Sequence, residues 1–392
     1  MKKLEYQVSF ATPAFLGNAD QNGQWRTPPF KALLRQWWRV AYAAEQRFTV
    51  KVTEIRREEG LLFGNAWLSH QEGNRDVADH RKSLVRIRLD RWDEGKLKSW
   101  QPLATVGHPE VRFPVGSDLY LGYGPVTLPR GSDQPKLKSN AAIQVGESAK
   151  LSIAIPSTHQ DAGIRQLLET NAPRIERALW LMDRYGTLGG RSRNGWGSFA
   201  LRPLLQAEEG WGEGALPSRP WRDCLALDWP HAIGQDEKGA LIWQTNPFDD
   251  WKSLMRELAI VKIGLRTQFK FPDAQPPHPQ PLERHWLSYP VTRHSTKAFD
   301  RNARLPNSLR FKVRKLPDGK LVGVVFHVPC LPPPEFKPDR NAIQAMWKNV
   351  HALLDELARP TTERAYRSVA DAARRTQLKP SLDTLTLQRI SE

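Results

Sequence analysis

Hydrophobic and polar residues alternate at the start of this 392-residue chain. Leu4, Tyr6, Val8 and Phe10 fall on one face, and Glu5, Gln7 and Ser9 on the other, the period-two pattern of a half-buried strand. A loop over 12–26 follows, and the period then changes. At 100° per residue Phe30, Leu33, Leu34, Trp37 and Ala41 share one face, which predicts a helix to about residue 44. Thr27 is expected as its N-cap, with Pro28 in the first turn. Lys31, Arg35 and Arg39, spaced by four, fall on a second face with Trp38 and Tyr42 beside them. That stripe lies off the apolar face, so removing its charges is expected to leave stability nearly intact. Alternation returns over 48–55, 83–89 and 150–155, each expected as a strand. Residues 161–171 and 173–185 read as helical and broken near Pro173, with Ile175, Ala178, Leu179 and Met182 inside. Gly186 suits the helix end, and a strand is expected over 199–205.

This order is β-α-β-β-α-β with a long insertion at about 90–149, rich in Gly, Pro and charge. It is the ferredoxin-like plan. Residues 206–221 read as a linker. The second half repeats the plan more loosely, with a strand near 224–229, a helix over 246–265 and a strand over 285–292. Two further strands, at 308–315 and 321–328, are joined by an Asp318-Gly319 turn. A helix follows over 339–358, and the polar, basic tail after Pro360 ends in a short strand near Leu385 and Leu387. The expected fold class is α+β, as two tandem ferredoxin-like (RRM-like) domains, 1–205 and 222–392.

The charge balance narrows the partners. Lys and Arg number 58 against 42 Asp and Glu, for a formal net charge of +16. Such an excess favours an anionic partner: nucleic acid, an anionic membrane or an acidic protein face. No apolar run of about 18 residues is present, and Met1-Lys2-Lys3 leads into a strand pattern rather than a signal region. A membrane partner is therefore not expected. Two cysteines, Cys224 and Cys330, without metal-ligand spacing fit a cytoplasmic protein with free thiols, and neither metal nor cofactor is expected.

The densest motif is Gly186-Thr187-Leu188-Gly189-Gly190-Arg191-Ser192-Arg193-Asn194-Gly195-Trp196-Gly197-Ser198-Phe199. Glycines can offer bare N–H groups to phosphate oxygens. Arg191 and Arg193 add bidentate forks, and Trp196 adds a stacking surface for a base. The segment lacks the Gly-Lys-Ser/Thr ending of a P-loop and the G-x-G-x-x-G order of a dinucleotide fold. The competing reading is a Gly-rich turn between helix and strand.

Three elements in this order resemble the RAMP superfamily, and within it the first-subunit family of type III-B CRISPR (Cmr) effector complexes. They are Thr12-Pro13-Ala14-Phe15-Leu16-Gly17-Asn18-Ala19-Asp20 with the segment 26–39, Leu62-Phe63-Gly64 after the first helix, and the glycine-rich loop. The resemblance covers the first 200 residues. It implies a non-catalytic, RNA-binding subunit that caps a protein filament near the 3′ end of a CRISPR RNA. Its expected partners are CRISPR RNA, target RNA and other RAMP subunits. It places RNA contact at Lys31, Arg35, Arg39, Arg191 and Arg193. Arg26, Trp38, Gly189, Gly190, Ser192, Asn194, Gly195, Trp196 and Gly197 complete the candidate set.

Two other functions are open to the same sequence. Some RAMP proteins cut RNA with a histidine, for which His108, His159 and His294 are the loop candidates. Filament-forming relatives use an aspartate between the first strand and helix, the place of Asp20. The Asn18-to-Gly23 run is turn chemistry, however, and Asp20 reads first as a turn residue. The third reading is a structural adaptor for an acidic protein face.

Overall fold

The computed structural model describes residues 1–66, 69–72, 75–78, 80–204 and 215–391. The chain is α+β, built from helices and mainly antiparallel sheets. It divides into two compact units. One comprises Met1–Lys98, Ser139–Gly190 and Gly197–Pro217; the other comprises Ser99–Lys138, Arg191–Trp196 and Ser218–Glu392. The domain expected over 1–205 is therefore cut differently. Most of its insertion, and six residues of its glycine-rich loop, sort with the second unit.

The first unit carries a four-stranded sheet. In spatial order its strands are Phe199–Pro203, Lys2–Phe10, Ser148–Ile155 and Arg86–Leu89, all antiparallel. Val8 opposes Leu201 on one side and Ala149 on the other, which pins the alternation read from the sequence. Two helices, Thr27–Glu45 and Ala162–Tyr185, pack on each other, with Trp37 and Tyr185 ring centroids 5.7 Å apart.

Local expectations failed where tertiary partners outweighed the pattern. Arg26, not Thr27, occupies the N-cap of the first helix and makes no side-chain cap. Residues 48–55 are not a strand. Arg47 and Phe48 turn the chain at positive φ, and a helix runs over Val52–Phe63 because Ile55, Glu59, Leu62 and Phe63 recur at helical spacing and are buried. The second long helix does not break at Pro173. Its neighbour Arg174 bonds Glu45 at 2.6 Å and Glu58 at 2.5 Å and lies over Tyr42 at 4.7 Å. Those contacts offset the one backbone bond that the proline removes.

In the second unit the chain runs Ile242–Thr245 (strand), Trp251–Thr267 (helix), Leu309–Lys315 and Leu321–His327 (hairpin), Arg340–Leu357 (helix) and Leu387–Arg389 (strand). The sheet order is Leu309–Lys315, Leu321–His327, Ile242–Thr245, Leu387–Arg389, again antiparallel throughout. Its share of the insertion forms two short strand pairs around the helix Ser117–Gly122. No strand forms over 224–229, where the short helix Trp221–Cys224 gives way to turns and bends. The one expected over 285–292 starts as the helix Glu283–Leu287, where Leu282 donates its N–H to His285 Nδ1 at 2.9 Å. Of the expected linker, 206–214 lies outside the described residues, and Ser218–Pro220 pairs in parallel with Ile233–Asp236. Both thiols are free; burial pushes Cys224 up to about 12 and Cys330 to about 11. Among the described residues no helix is long and apolar enough to cross a membrane.

One half-buried acid makes stability pH-dependent. Burial raises Glu257, on the helix Trp251–Thr267, from 4.5 to about 7, against the opposing backbone of Thr386 and charge of Arg256. The folded chain therefore holds a proton that the unfolded chain releases above pH 4.5. Stability is highest below that value, falls as pH rises through about 7, and is level above it. Glu257→Gln is expected to gain about 2 kcal/mol over wild type between pH 5 and pH 8 in urea unfolding. An equal difference at both pH values would refute the assignment.

Candidate nucleic-acid interface

The basic stripe of the first helix is already engaged. Arg35 Nε donates to Glu59 Oε1 at 2.7 Å, and Arg39 donates Nε to Oε2 and Nη2 to Oε1, both at 2.7 Å. Glu59 is buried, so the two guanidiniums neutralise a carboxylate taken out of water. Lys31 stands next to them, and burial and then Arg35 hold its ammonium below the usual lysine range. Arg26 donates to Gly17 O at 2.6 Å. Trp38 is not a stacking platform: it is 0% exposed and donates Nε1 to Asn171 Oδ1 at 2.9 Å.

The glycines of the loop answer first to the fold. Gly189 (φ +92°) lies against Phe15 O, where a Cβ would come within 2.6 Å. Gly197 (φ +65°) lies against Leu188 O, where a Cβ would come within 1.8 Å. The N–H groups expected to cradle phosphate are largely used. Gly190 donates to Phe15 O (3.0 Å), Asn194 to Arg191 O (2.9 Å), Gly195 to Ser192 O (3.0 Å) and Gly197 to Pro13 O (2.9 Å). Trp196 is 0% exposed, packed on Trp100 and Trp251, and cannot stack on a base.

What the loop does present, within the second unit, is charge. Arg191 and Arg193 are exposed. Arg191 holds a left-handed φ of +57°, rare outside glycine, and its Nε donates to Tyr123 O at 2.6 Å. Lys262 donates to Asn194 Oδ1 at 2.8 Å and stands 5.7 Å over the Tyr120 ring. Burial, then repulsion from Arg266 and Arg191, drives the Lys262 ammonium well below the usual lysine range. Burial and Arg266 likewise lower Arg191. Three cations thus crowd one place and raise one another's cost, an arrangement that an anion relieves. Tyr123 is 64% exposed and Phe113 70% exposed, so the insertion supplies the open aromatic faces that Trp38 and Trp196 do not.

Lys262, Arg266, Tyr123 and Phe113 were missed by sequence reasoning. Lys262 and Arg266 have the same four-residue spacing as the first-helix stripe, off an apolar face of Leu254, Leu258 and Val261, so that signal was readable. Nothing local marks Tyr123 or Phe113, because exposure of an aromatic is settled by what packs around it.

The remaining candidates separate. Asp20 is exposed at the tip of a turn in which Asn18 Oδ1 accepts from the N–H groups of Asp20 and Asn22, both at 2.9 Å. His159 is exposed and accepts Asp161 N–H at 3.1 Å. His108 and His294, far apart in sequence, both feel the charges of Arg284 and Glu110; burial first, with Arg284 adding to it and Glu110 opposing, holds both imidazoles below their ordinary range.

No protein-family model matches the chain, and no curated protein matches it. Its fold is similar to the crystal structure of Cmr1 from Pyrococcus furiosus in its apo form, with a TM-score of 0.40 and 14% identity over 83% of this chain and 88% of that one. It is similar to a chain of the type III-B Cmr-beta complex bound to cognate target RNA, solved by cryo-EM, with a TM-score of 0.47 and 10% identity over 90% of this chain and 99% of that one. A chain of a type IV-B CRISPR complex is similar with a TM-score of 0.29 and 12% identity, over 53% of this chain and 93% of that one.

Proposed function

We propose that this chain is a non-catalytic RNA-binding subunit of a type III-B CRISPR interference complex. In that role it caps the protein filament near the 3′ end of the guide and contacts guide or target RNA beside other RAMP subunits. The observation that carries RNA binding is the crowding of Arg191, Lys262 and Arg266 next to the exposed Tyr123. Phosphates neutralise such a cluster, and an open aromatic ring accepts a base. The place in an effector complex rests on the sequence motifs in 12–39, 62–64 and 186–198. We read each unit as a ferredoxin-like repeat. Each has the β-α-β-β-α-β order, and counting strands along the chain within each unit gives the spatial order 4-1-3-2 both times.

The test is the affinity of the full chain for a single-stranded RNA across a salt series. Binding is expected to weaken steeply with salt and to show little sequence preference. Arg191→Ala with Arg193→Ala, and separately Lys262→Gln with Arg266→Gln, are each expected to lower the salt slope by about one unit for every phosphate left without its cation. Salt-independent affinity, or wild-type binding by both variants, would overturn the reading. Cleavage of the labelled RNA by the purified chain would replace it with the endoribonuclease reading.

A further inference from the structure

The four-stranded sheet of the first unit has one buried face and one open face. Tyr6, Val8, Phe10, Leu89, Leu151 and Ile153 are buried on the first. Side chains alternate across a strand, so Lys3, Glu5 and Gln7 point the other way. The register adds Arg86 opposite Ala154, Arg88 opposite Ser152, and Lys150 and Arg202 on either side of Gln7. Lys3, Gln7, Arg86, Arg88, Lys150 and Arg202 are all exposed. The sheet of the second unit differs, because every residue of its interior strand Leu321–His327 is buried.

Five cations on this face meet a single carboxylate. Lys3 and Lys150 share Glu5, with Nζ to Oε1 distances of 2.9 and 3.3 Å. Ser152 Oγ donates to the same oxygen at 3.1 Å. Bonds from Lys3, Lys150 and Ser152 hold the Glu5 carboxyl well below the usual range, so it stays ionised. Asp90, just past the edge strand, accepts the Lys150 backbone N–H at 2.8 Å. Among the described residues no acidic side chain pairs with Arg86, Arg88 or Arg202. Arg86 and Arg88 stand two residues apart on one strand, about 7 Å. Their charges therefore repel across an open surface, and an anion would relieve them. The apolar side chains on the face are small, Ala154 and Ala200, and none is aromatic.

That composition decides between two kinds of acidic partner. A protein interface draws its strength from a desolvated core of aromatic and other large anchors, with lysine depleted, and exposed ion pairs alone contribute little. A phosphate backbone needs no apolar core, because every phosphate contact releases counterions. Serine and glutamine donors among the cations suit phosphate and sugar oxygens. We propose that this open sheet face holds the sugar–phosphate backbone of a single-stranded RNA, with Arg86, Arg88 and Arg202 as its main contacts and Lys3 and Lys150 beside them. The inference rests on the RNA-binding reading and adds to it a surface on the first unit, made of other residues than Arg191, Lys262 and Tyr123. With no ring on the face to stack on a base, the contact is independent of sequence.

The affinity of the full chain for oligouridine, followed by fluorescence anisotropy across a salt series, is the test. Arg86→Gln with Arg88→Gln and Arg202→Gln is expected to weaken binding about tenfold or more at low salt and to lower the salt slope by about 2–3 units. These side chains are exposed, so the fold is expected to stay intact, with circular dichroism as the check. Glu5→Gln is expected to act in the opposite direction and tighten binding about threefold or more, because it releases Lys3 and Lys150 to phosphate. A wild-type slope in the triple variant, or no gain in Glu5→Gln, would overturn the proposal; a slope still lowered by Arg191→Ala with Arg193→Ala would then leave the RNA reading standing without this face. A wild-type chain with no salt-dependent affinity for RNA would remove both. Polyglutamate stands in for an acidic protein and is expected to compete about tenfold less well than oligouridine of equal charge. Equal competition that the triple variant abolishes would assign the face to an acidic protein and overturn the RNA contact.

Discussion

Gly197→Ala is expected to unfold the first unit or lower its melting temperature by more than about 8 °C, a loss above about 4 kcal/mol. The added Cβ would lie 1.8 Å from Leu188 O and 2.9 Å from its carbonyl carbon, and the backbone sits at φ +65°. Neither strand can yield cheaply. Leu188 N–H donates to Gly197 O at 3.0 Å, Gly197 N–H to Pro13 O at 2.9 Å, and Ser198 N–H to Thr12 Oγ1 at 3.0 Å. Moving the glycine aside would strand those buried groups. Gly195→Ala is the control. It too has positive φ (+90°), but its Cβ would meet Leu258, Met255 and Phe311 side chains at 3.5 Å or beyond, so its cost is the left-handed penalty alone, about 1–2 kcal/mol. Thermal melts of both variants decide the matter. A Gly197→Ala protein that melts within about 2 °C of wild type would show that the turn is not set by this close approach. A large loss would mean that the loop owes its glycines to folding before it owes them to RNA.

The double variant Arg35→Ala, Arg39→Ala is expected to lose about 3 kcal/mol of stability, contrary to what the helical wheel implies. The wheel correctly places both side chains off the apolar stripe, but it cannot show that the adjacent helix Val52–Phe63 brings a buried carboxylate, Glu59, between them. Removing both cations leaves that carboxylate inside without a counter-ion, and an uncompensated buried charge costs more than a surface ion pair contributes. The arginines keep some exposure, so the figure is set at the low end of that class. Adding Glu59→Gln is expected to recover most of the loss, because the amide needs no counter-ion. Urea unfolding of the double and triple variants measures both. A double variant as stable as wild type would return these arginines to the solvent-facing role and strengthen them as RNA contacts.

Much of the architecture was legible because it rests on short-range physics. The alternation of Leu4, Tyr6, Val8 and Phe10 specified a strand, and the 3.6-residue recurrence of Phe30, Leu33, Leu34 and Trp37 specified a helix. The Asp318-Gly319 turn specified the hairpin that the structure shows over Leu309–Lys315 and Leu321–His327. The α+β class and an excess of positive charge seeking an anion were equally local or global properties of composition. Exposure and pairing were not. Trp38 and Trp196 read as stacking surfaces because a sequence shows that a ring exists, whereas burial depends on distant residues such as Asn171, Trp100 and Trp251. Arg35 and Arg39 read as free charge because Glu59 lies on another helix. Lys262, Arg266 and Tyr123 join Arg191 only once distant segments of the chain are brought beside it. Sequence by itself determined the elements, the class and the sign of the charge; the tertiary structure decided which charges are already neutralised and which remain for a partner, because Coulomb and desolvation energies depend on distances that only folding sets.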